Sequence, residues 1–259
     1  MKSPCLSICP LASGSRGNSV FVSGGTTSIL VDAGFSGVEL ERRMRAKALS
    51  PDNLSAVVVT HEHTDHIQAA GILSRRYNIP LYLNLKTHLA AEAKLGKVDQ
   101  VNLFACGTRF EIGELTINPF SISHDAADPL GMTVEHGSAK LGIATDLGIA
   151  TNLVRQHLRG CNLLYVEANH DPHLLNIGPY PWYLKQRVKS RRGHLSNQEA
   201  AALVCDVRTP ALAHVILAHL SEQNNCPEKA LQVMTEALDS PHIGVEVARP
   251  DLPGALIDL

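Results

Sequence analysis

Six consecutive residues, His61, Glu62, His63, Thr64, Asp65 and His66, bring three imidazoles and two carboxylates into one short stretch. They follow Val57-Val58-Val59-Thr60, a β-branched run of the kind that forms a buried strand, so they occupy a loop leaving a rigid element. His61 and His63 are two residues apart in extended chain, which turns both rings to one side and lets them share a cation at roughly 2.0–2.1 Å. Asp65 and His66 lie where the chain turns into a helix, so they point elsewhere and can hold a second ion. Two cations roughly 3.5–4 Å apart can activate a water and stabilise a departing oxygen. The plainer alternative is a polar turn whose histidines cap a helix. Three histidines and an aspartate in six residues weigh against it.

This HxHxDH signature resembles the metallo-β-lactamase superfamily, and later landmarks of that family recur in order. Asp32, in Ile29-Leu30-Val31-Asp32-Ala33-Gly34, is similar to the carboxylate that orients the signature loop from behind. His124 in Ser121-Ile122-Ser123-His124-Asp125, Asp146 in Gly142-Ile143-Ala144-Thr145-Asp146, and His219 in Leu217-Ala218-His219-Leu220-Ser221 match its remaining ligand motifs. Taken singly, Asp146 could be a turn residue and His124 a satisfied core histidine. The resemblance implies that His61, His63, His124 and Asp146 hold one metal while Asp65, His66, His219 and Asp146 hold the other. A set of nitrogen and oxygen donors without thiolate suits two zinc ions, and also manganese or iron.

Within the superfamily, three segments resemble the YycJ-type (WalJ-type) exonucleases: 11–19 (Leu-Ala-Ser-Gly-Ser-Arg-Gly-Asn-Ser), 124–129 and 219–225. Two further loops are similar to those of ribonuclease Z, where a Glu in an H-E-A-T loop and a His in a G-H-S-T loop supply the leaving-group proton. Here they read Val166-Glu167-Ala168-Asn169 and Gly193-His194-Leu195-Ser196-Asn197. The first departs from the pattern at both ends. Glu167 would orient His194 and favour its charged form, keeping a proton donor ready near neutral pH. Otherwise His194 is a helix-start residue, with Ser196 or Asn197 capping. The dense basic stretch between them, Trp182 to Arg192, reads either as a phosphate clamp (Lys185, Arg191, Arg192) with Trp182 or Tyr183 stacking on a base, or as a solvated helix face with Trp182 in the core. By resemblance alone, Asp128 and Asn224 position substrate.

The elements that must carry these residues alternate along the chain. Strands are expected at 19–23, 28–32, 56–60, 81–83, 163–167, 214–218 and 244–248, with a strand-rich middle from 101 to 145 whose hairpins turn at Gly113 and Gly137. Helices are expected at 38–48, with Val38, Met44 and Leu49 on the apolar side and arginines between, and at 67–77, 150–158, 197–207 and 227–238. The pattern suggests a layered α/β (α+β) fold of two mixed sheets sandwiched between helices, as the resemblance to the αββα superfamily also implies. With 259 residues and 44% apolar content, one domain over residues 1–259 can bury a sizeable core.

A net charge of −2 excludes a global basic field, so contact with a polyanion must be local. Met1 to Pro10 resembles neither a leader nor a membrane span, and no membrane partner is expected. Six scattered cysteines, Cys5 and Cys9 among them, lack zinc-finger or disulfide-scaffold spacing and fit reduced thiols in the cytoplasm. The combined reading is a dinuclear metal-dependent phosphodiester hydrolase, an exonuclease or related nuclease acting on DNA or RNA. In it a hydroxide between the metals attacks phosphorus, with Asp65, Glu167 and His194 in the catalytic apparatus. The rival is a small-molecule metallo-hydrolase acting on a cyclic phosphodiester, a thioester or a lactam. A binding protein on a retired scaffold finds little support, since every ligand position is filled. The oligomeric state stays open, a homodimer included.

Overall fold

The computed structural model describes residues 5–259; of the amino-terminal stretch considered above, 1–4 lie outside the described residues. Strands β1 (Ser7–Ala12), β2 (Ser19–Gly24), β3 (Thr27–Val31), β4 (Ala56–Val58), β5 (Leu81–Asn84) and β6 (Val101–Phe104) line up in chain order in one sheet. A second sheet holds β7 (Phe110–Ile112), β8 (Leu115–Ser121), β9 (Leu130–His136), β10 (Ala139–Ala144), β11 (Leu163–Glu167), β12 (His214–Ala218) and β13 (Gly244–Val247). The last strand, β14 (Ile257–Asp258), returns to pair with β1 at the edge of the first sheet.

The two sheets face one another across a shared apolar layer in which Ile8, Val22 and Ile29 meet Ile117, Met132, Leu141 and Tyr165. Each outer face is covered by helices. Leu40, Met44, Leu73 and Leu95 pack on the first sheet, and Leu158, Leu203, Val204 and Met234 on the second. Burying one such aliphatic side chain contributes about 1.5–3 kcal/mol, which is why both faces of each sheet read as apolar. This is the expected four-layer sandwich. No described helix is long and apolar enough to cross a membrane.

Three local expectations need correction. The helix expected from 67 to 77 is two helices, Thr64–Ile67 and Ala70–Tyr77. The break arises because the Asp65 carbonyl accepts from Asn18 N–H (2.7 Å) and the Ala69 N–H donates to Ala33 O (2.8 Å), so the signature loop bonds outward rather than along a helix. In the helix Gly37–Ala46, Val38 is 71% exposed, and Leu40 and Met44 carry the core face. Arg43, expected on the wet side, is buried there. It is bonded to Glu39 and to the carbonyls of Leu11 and Pro250, and its guanidinium lies over the Phe35 ring.

Among the elements not expected from the sequence are β1 and the helix Leu85–Leu95. β1 contains Pro10 and a register shift between Pro10 and Ala12. The helix Leu85–Leu95 buries Thr87, Ala91 and Leu95 while exposing Leu85 and Leu89, so its sequence pattern marks the wrong face. Cys9 lies buried in β1, its Sγ toward the Gly254 carbonyl, and burial pushes its thiol up to about 11.

Candidate metal centre

β3, β4 and β5 run parallel, as do β10, β11 and β12, and the chemistry-bearing residues cluster where these strands stop. Asp32 follows β3, His61 follows β4, Asp146 follows β10 and His219 follows β12, while Glu167 ends β11. Asp32, Asp146 and His219 all take left-handed backbone, with φ of 62°, 57° and 55°. That conformation costs a non-glycine residue roughly 1–3 kcal/mol and is held only where its surroundings over-determine it. Here it turns the chain out of each strand and the side chain into a common centre. Gly34 completes the first turn, because a Cβ there would lie 1.7 Å from the Asp65 carbonyl oxygen.

Four histidines are anchored from behind through Nδ1. His66 Nδ1 lies 2.7 Å from Asp32 Oδ2, His124 Nδ1 3.3 Å from the Gly193 carbonyl and His219 Nδ1 3.1 Å from Asn18 Oδ1. These partners accept, which places the proton on Nδ1. His61 Nδ1 lies 3.0 Å from Thr60 Oγ1, whose own proton goes to Asp32 Oδ2. Asp32 also accepts from Thr60 N–H, so one carboxylate ties both halves of the signature loop. Nε2 of His61, His124 and His219 is thereby left with its lone pair for the centre, the usual way a second layer of hydrogen bonds fixes ligand tautomers, while that of His66 also meets the Asn18 amide nitrogen at 3.0 Å.

The donor atoms that converge fall into overlapping groups within 4.8 Å: His61, His63 and His124; Asp65, His66 and His219; His61, His66 and Asp146; and Asp146, Glu167, His194 and His219. Asp146 lies between, 3.3 Å from His66 Nε2 through Oδ2 and 3.3 Å and 3.7 Å from His219 and His124 through Oδ1. His61 Nε2 and Asp146 Oδ2 are buried without any hydrogen-bond partner. Orphaned buried donors or acceptors are rare and ask for an occupant, and a nitrogen and oxygen donor set fits divalent transition-metal ions.

Carboxylates and imidazoles shift one another across this cluster: burial opposes charge on His66, yet Asp146 and Asp32 hold it well above the usual imidazole range. Burial and the neighbouring His66 hold His61 well below the usual imidazole range. Burial opposes charge on Asp146 too, yet His219, His66, His61 and His124 around it hold its carboxyl well below the usual range.

Beside this cluster, Glu167 is fully buried. Its Oε1 meets His194 Nδ1 at 2.7 Å, and its Oε2 accepts from Leu147 N–H (2.9 Å) and Leu195 N–H (3.0 Å). Burial disfavours charge on His194, but the Glu167 carboxylate and its hydrogen bond prevail and push the imidazole up to about 9. Ser196 caps the next helix in a capping box with Glu199, as the helix-start reading of His194 expected, and it is the Glu167 contact that sets His194 apart from an ordinary helix-start residue. His194 and His219 stack with centroids 5.3 Å apart. Glu167, expected among the catalytic residues, therefore reaches the cavity only through His194.

A cavity of about 300 Å³ opens over the centre, lined among others by His63, Asp65, Asp146, His194 and His219. Of the expected substrate contacts it brings Arg192 to the wall and leaves out Asp128, Asn224, Lys185 and Arg191. Asn224 is buried, its side-chain amide nitrogen donating to Ser221 Oγ and its backbone carbonyl accepting from Asp171 N–H. Asp128 pairs loosely with Lys86 (3.8 Å). Trp182 is not in the core: it is 73% exposed.

Sequence reasoning did not single out Ser15, Tyr180, Leu184 and Arg187 on the wall, nor Arg187 pairing with Asp125 (Nε to Oδ2, 2.7 Å). Asn18 carries no signal in the sequence beyond its place in the 11–19 segment. Its amide nitrogen lies 3.2 Å from Asp65 Oδ2 and 3.0 Å from His66 Nε2.

Residues 27–220 match the sequence family described as the Beta-lactamase superfamily domain. The chain is 38% identical over 237 residues to the exodeoxyribonuclease YycJ of Bacillus anthracis, covering 91% of this chain and 90% of the relative. It is 36% identical over 241 residues to the exodeoxyribonuclease WalJ of Streptococcus pneumoniae, covering 92% and 90%. Among solved structures, the metallo-beta-lactamase fold protein YhfI from Bacillus subtilis superposes with a TM-score of 0.74 over 97% of this chain and 99% of that one. At 17% identity, this last likeness bears on the fold alone.

Proposed function

The chain belongs to the metallo-β-lactamase superfamily and, within it, to the family of the YycJ and WalJ exodeoxyribonucleases, and from that premise we propose that it is a metal-dependent nuclease cleaving phosphodiester bonds. We assign it DNA or RNA as substrate and exonucleolytic action, in keeping with the names of those relatives. The observation that carries the reading is the Glu167–His194 pair beside the ligand cluster. A thioester releases a thiolate, which leaves without protonation and has little need of such a donor.

His61, His63, His124 and Asp146 would hold one divalent ion and Asp65, His66, His219 and Asp146 the other, with zinc the first expectation and manganese or iron compatible. Ions in such a pair supply Lewis acidity to the phosphoryl oxygens and a water activated at neutral pH.

The chain's own residues do the rest. Asp32, Thr60, Asn18 and the Gly193 carbonyl fix the histidine tautomers before substrate arrives, so no reorientation is needed during reaction. As water oxygen bonds to phosphorus and the P–O bond to the leaving nucleoside breaks, His194 gives its Nε2 proton to the departing oxygen. Glu167 stays ionised, steadies the charged imidazole and prevents its rotation. Arg192, on the cavity wall, would meet a phosphate oxygen.

The site is assembled from both sheets, which supports a single catalytic domain. The thiols suit the cytoplasm. The test is metal-loaded protein assayed side by side on end-labelled DNA, end-labelled RNA, bis(p-nitrophenyl) phosphate and a β-lactam. Nucleic-acid degradation is expected. Turnover of the lactam with intact nucleic acid would overturn the reading.

A further inference from the structure

Between Asp171 and Glu199 the chain has no acidic residue but five strong cations, Lys185, Arg187, Lys189, Arg191 and Arg192, in a protein of net charge −2. This segment folds as an arm beside the cavity: a helix Pro172–Ile177, a helix Trp182–Val188, and a turn into His194. Its far end is tied to the metal centre. Ser123 Oγ donates to the Arg191 carbonyl (2.7 Å), and the Gly193 carbonyl faces His124 Nδ1. A Cβ on Gly193 would collide with the Val188 and Arg187 carbonyls, so the turn is packed backbone to backbone. Lys185 and Lys189 both donate to Asn176, bracing the two helices. Only Arg187 has a carboxylate partner, Asp125.

Leu184, Arg187 and Val188 turn toward the cavity with Tyr180. Trp182 and Tyr183 are left 73% and 74% exposed, with Ile177 beside them in the arm at 67%. A large aromatic side chain is usually well buried, and two adjacent ones held in solvent on a basic arm at the mouth of a cavity ask for a partner.

We propose that this arm is the strand-holding surface of the enzyme, with Trp182 and Tyr183 stacking on bases and Lys185, Lys189, Arg191 and Arg192 facing the phosphates of a nucleic-acid strand led into the cavity. The inference rests on the nuclease reading above. A polyanion with flat bases satisfies both features of the arm at once. A second copy of the chain does not: a two-fold contact through the arm would set its cations against the same cations.

Trp182 is the chain's single tryptophan, so its fluorescence reports this surface alone. The metal-loaded protein is titrated with a cleavage-resistant phosphorothioate oligodeoxythymidylate while the anisotropy of a dye on the strand reports binding independently. Tryptophan emission is expected to fall in step with anisotropy. The W182A/Y183A double variant should raise Kd and the KM for DNA about ten-fold or more while hydrolysing bis(p-nitrophenyl) phosphate like the parent. Arg191→Ala should reduce the salt dependence of strand binding by about one released counterion.

Unchanged emission at saturated binding, or parental KM in the double variant, overturns the proposal in an otherwise active nuclease. So does a dimer in sedimentation that the double variant dissolves without losing DNA affinity, which would give the patch to a second copy. A parent that hydrolyses the small ester but cuts no nucleic acid overturns the nuclease reading itself, and this proposal with it.

Discussion

Glu167 Oε1 and His194 Nδ1 sit 2.7 Å apart although 27 residues separate them, and the carboxylate has no exposed surface while the imidazole opens on the cavity. The pair therefore has an inner member whose hydrogen bonds are all spent on the protein, and an outer member with one nitrogen left for chemistry. That asymmetry separates their roles and makes each testable.

If His194 supplies the leaving-group proton, His194→Ala should lower kcat on a nucleic-acid phosphodiester by roughly 10²–10⁴-fold with metal content unchanged. A nitrophenolate leaves without protonation, so bis(p-nitrophenyl) phosphate should be hydrolysed nearly as well by the variant as by the parent. An equal loss on both substrates would assign His194 to phosphate positioning or to the fold.

Glu167→Gln should move the alkaline limit of kcat to lower pH. The carboxylate holds the imidazole charged up to about pH 9, above its ordinary value of 6.5, so the donor form survives in the parent well past neutrality. Without the negative charge the imidazole loses its proton earlier, and the donor is depleted as pH rises. Activity at acidic pH should be the better preserved. A kcat–pH profile of the variant that is scaled down without moving would show that Glu167 serves only to hold the loops at Leu147 and Leu195.

Reconstituted protein should bind two divalent ions per chain, since the histidine lone pairs are pre-aimed and Asp146 lies between both ligand groups. Removing the anchoring carboxylate in Asp32→Ala should weaken metal binding about 10–100-fold while leaving every ligand in place. Metal titration with elemental analysis measures both. A stoichiometry that never passes one, with zinc or manganese in excess, would refute the paired site.

Asp65→Ala and His66→Ala should both abolish turnover, yet differ in stability. Asp65 is partly exposed and accepts a bond from the Asn18 amide, so its loss leaves the fold intact. His66 is fully buried against Asp32, and its loss leaves that buried carboxylate with only the Thr60 N–H and Oγ1 as partners. Breaking a buried pair by removing one member costs about 3–5 kcal/mol. Urea unfolding of the two variants without metal should place His66→Ala well below Asp65→Ala; equal midpoints would mean that the two Thr60 bonds suffice for Asp32.

The ligand loop was legible because its residues are contiguous: a strand ending at Val58 and a two-residue spacing fix where His61 and His63 point, whatever the rest of the chain does. The same holds for elements with clean periodicity, such as the helices Asn197–Val207 and Pro227–Leu238 and the strands Leu163–Glu167 and His214–Ala218. Where propensity and burial part company, the sequence misleads. Leu85 and Leu89 look like a core face and are exposed, Arg43 looks like surface and is buried, and Trp182 looks like core and stands in solvent.

Only the tertiary structure could decide contacts between residues distant in sequence. The pairing of Asp125 with Arg187, the clasp of Asn18 on Asp65, His66 and His219, and the removal of Asn224 from the cavity all depend on how two sheets and a basic arm are brought face to face. Spacing along a chain sets the direction of neighbours a few residues apart. Direction across the sandwich is set by which carbonyls, left-handed turns and glycines let separate strand ends approach, and no local pattern encodes that meeting.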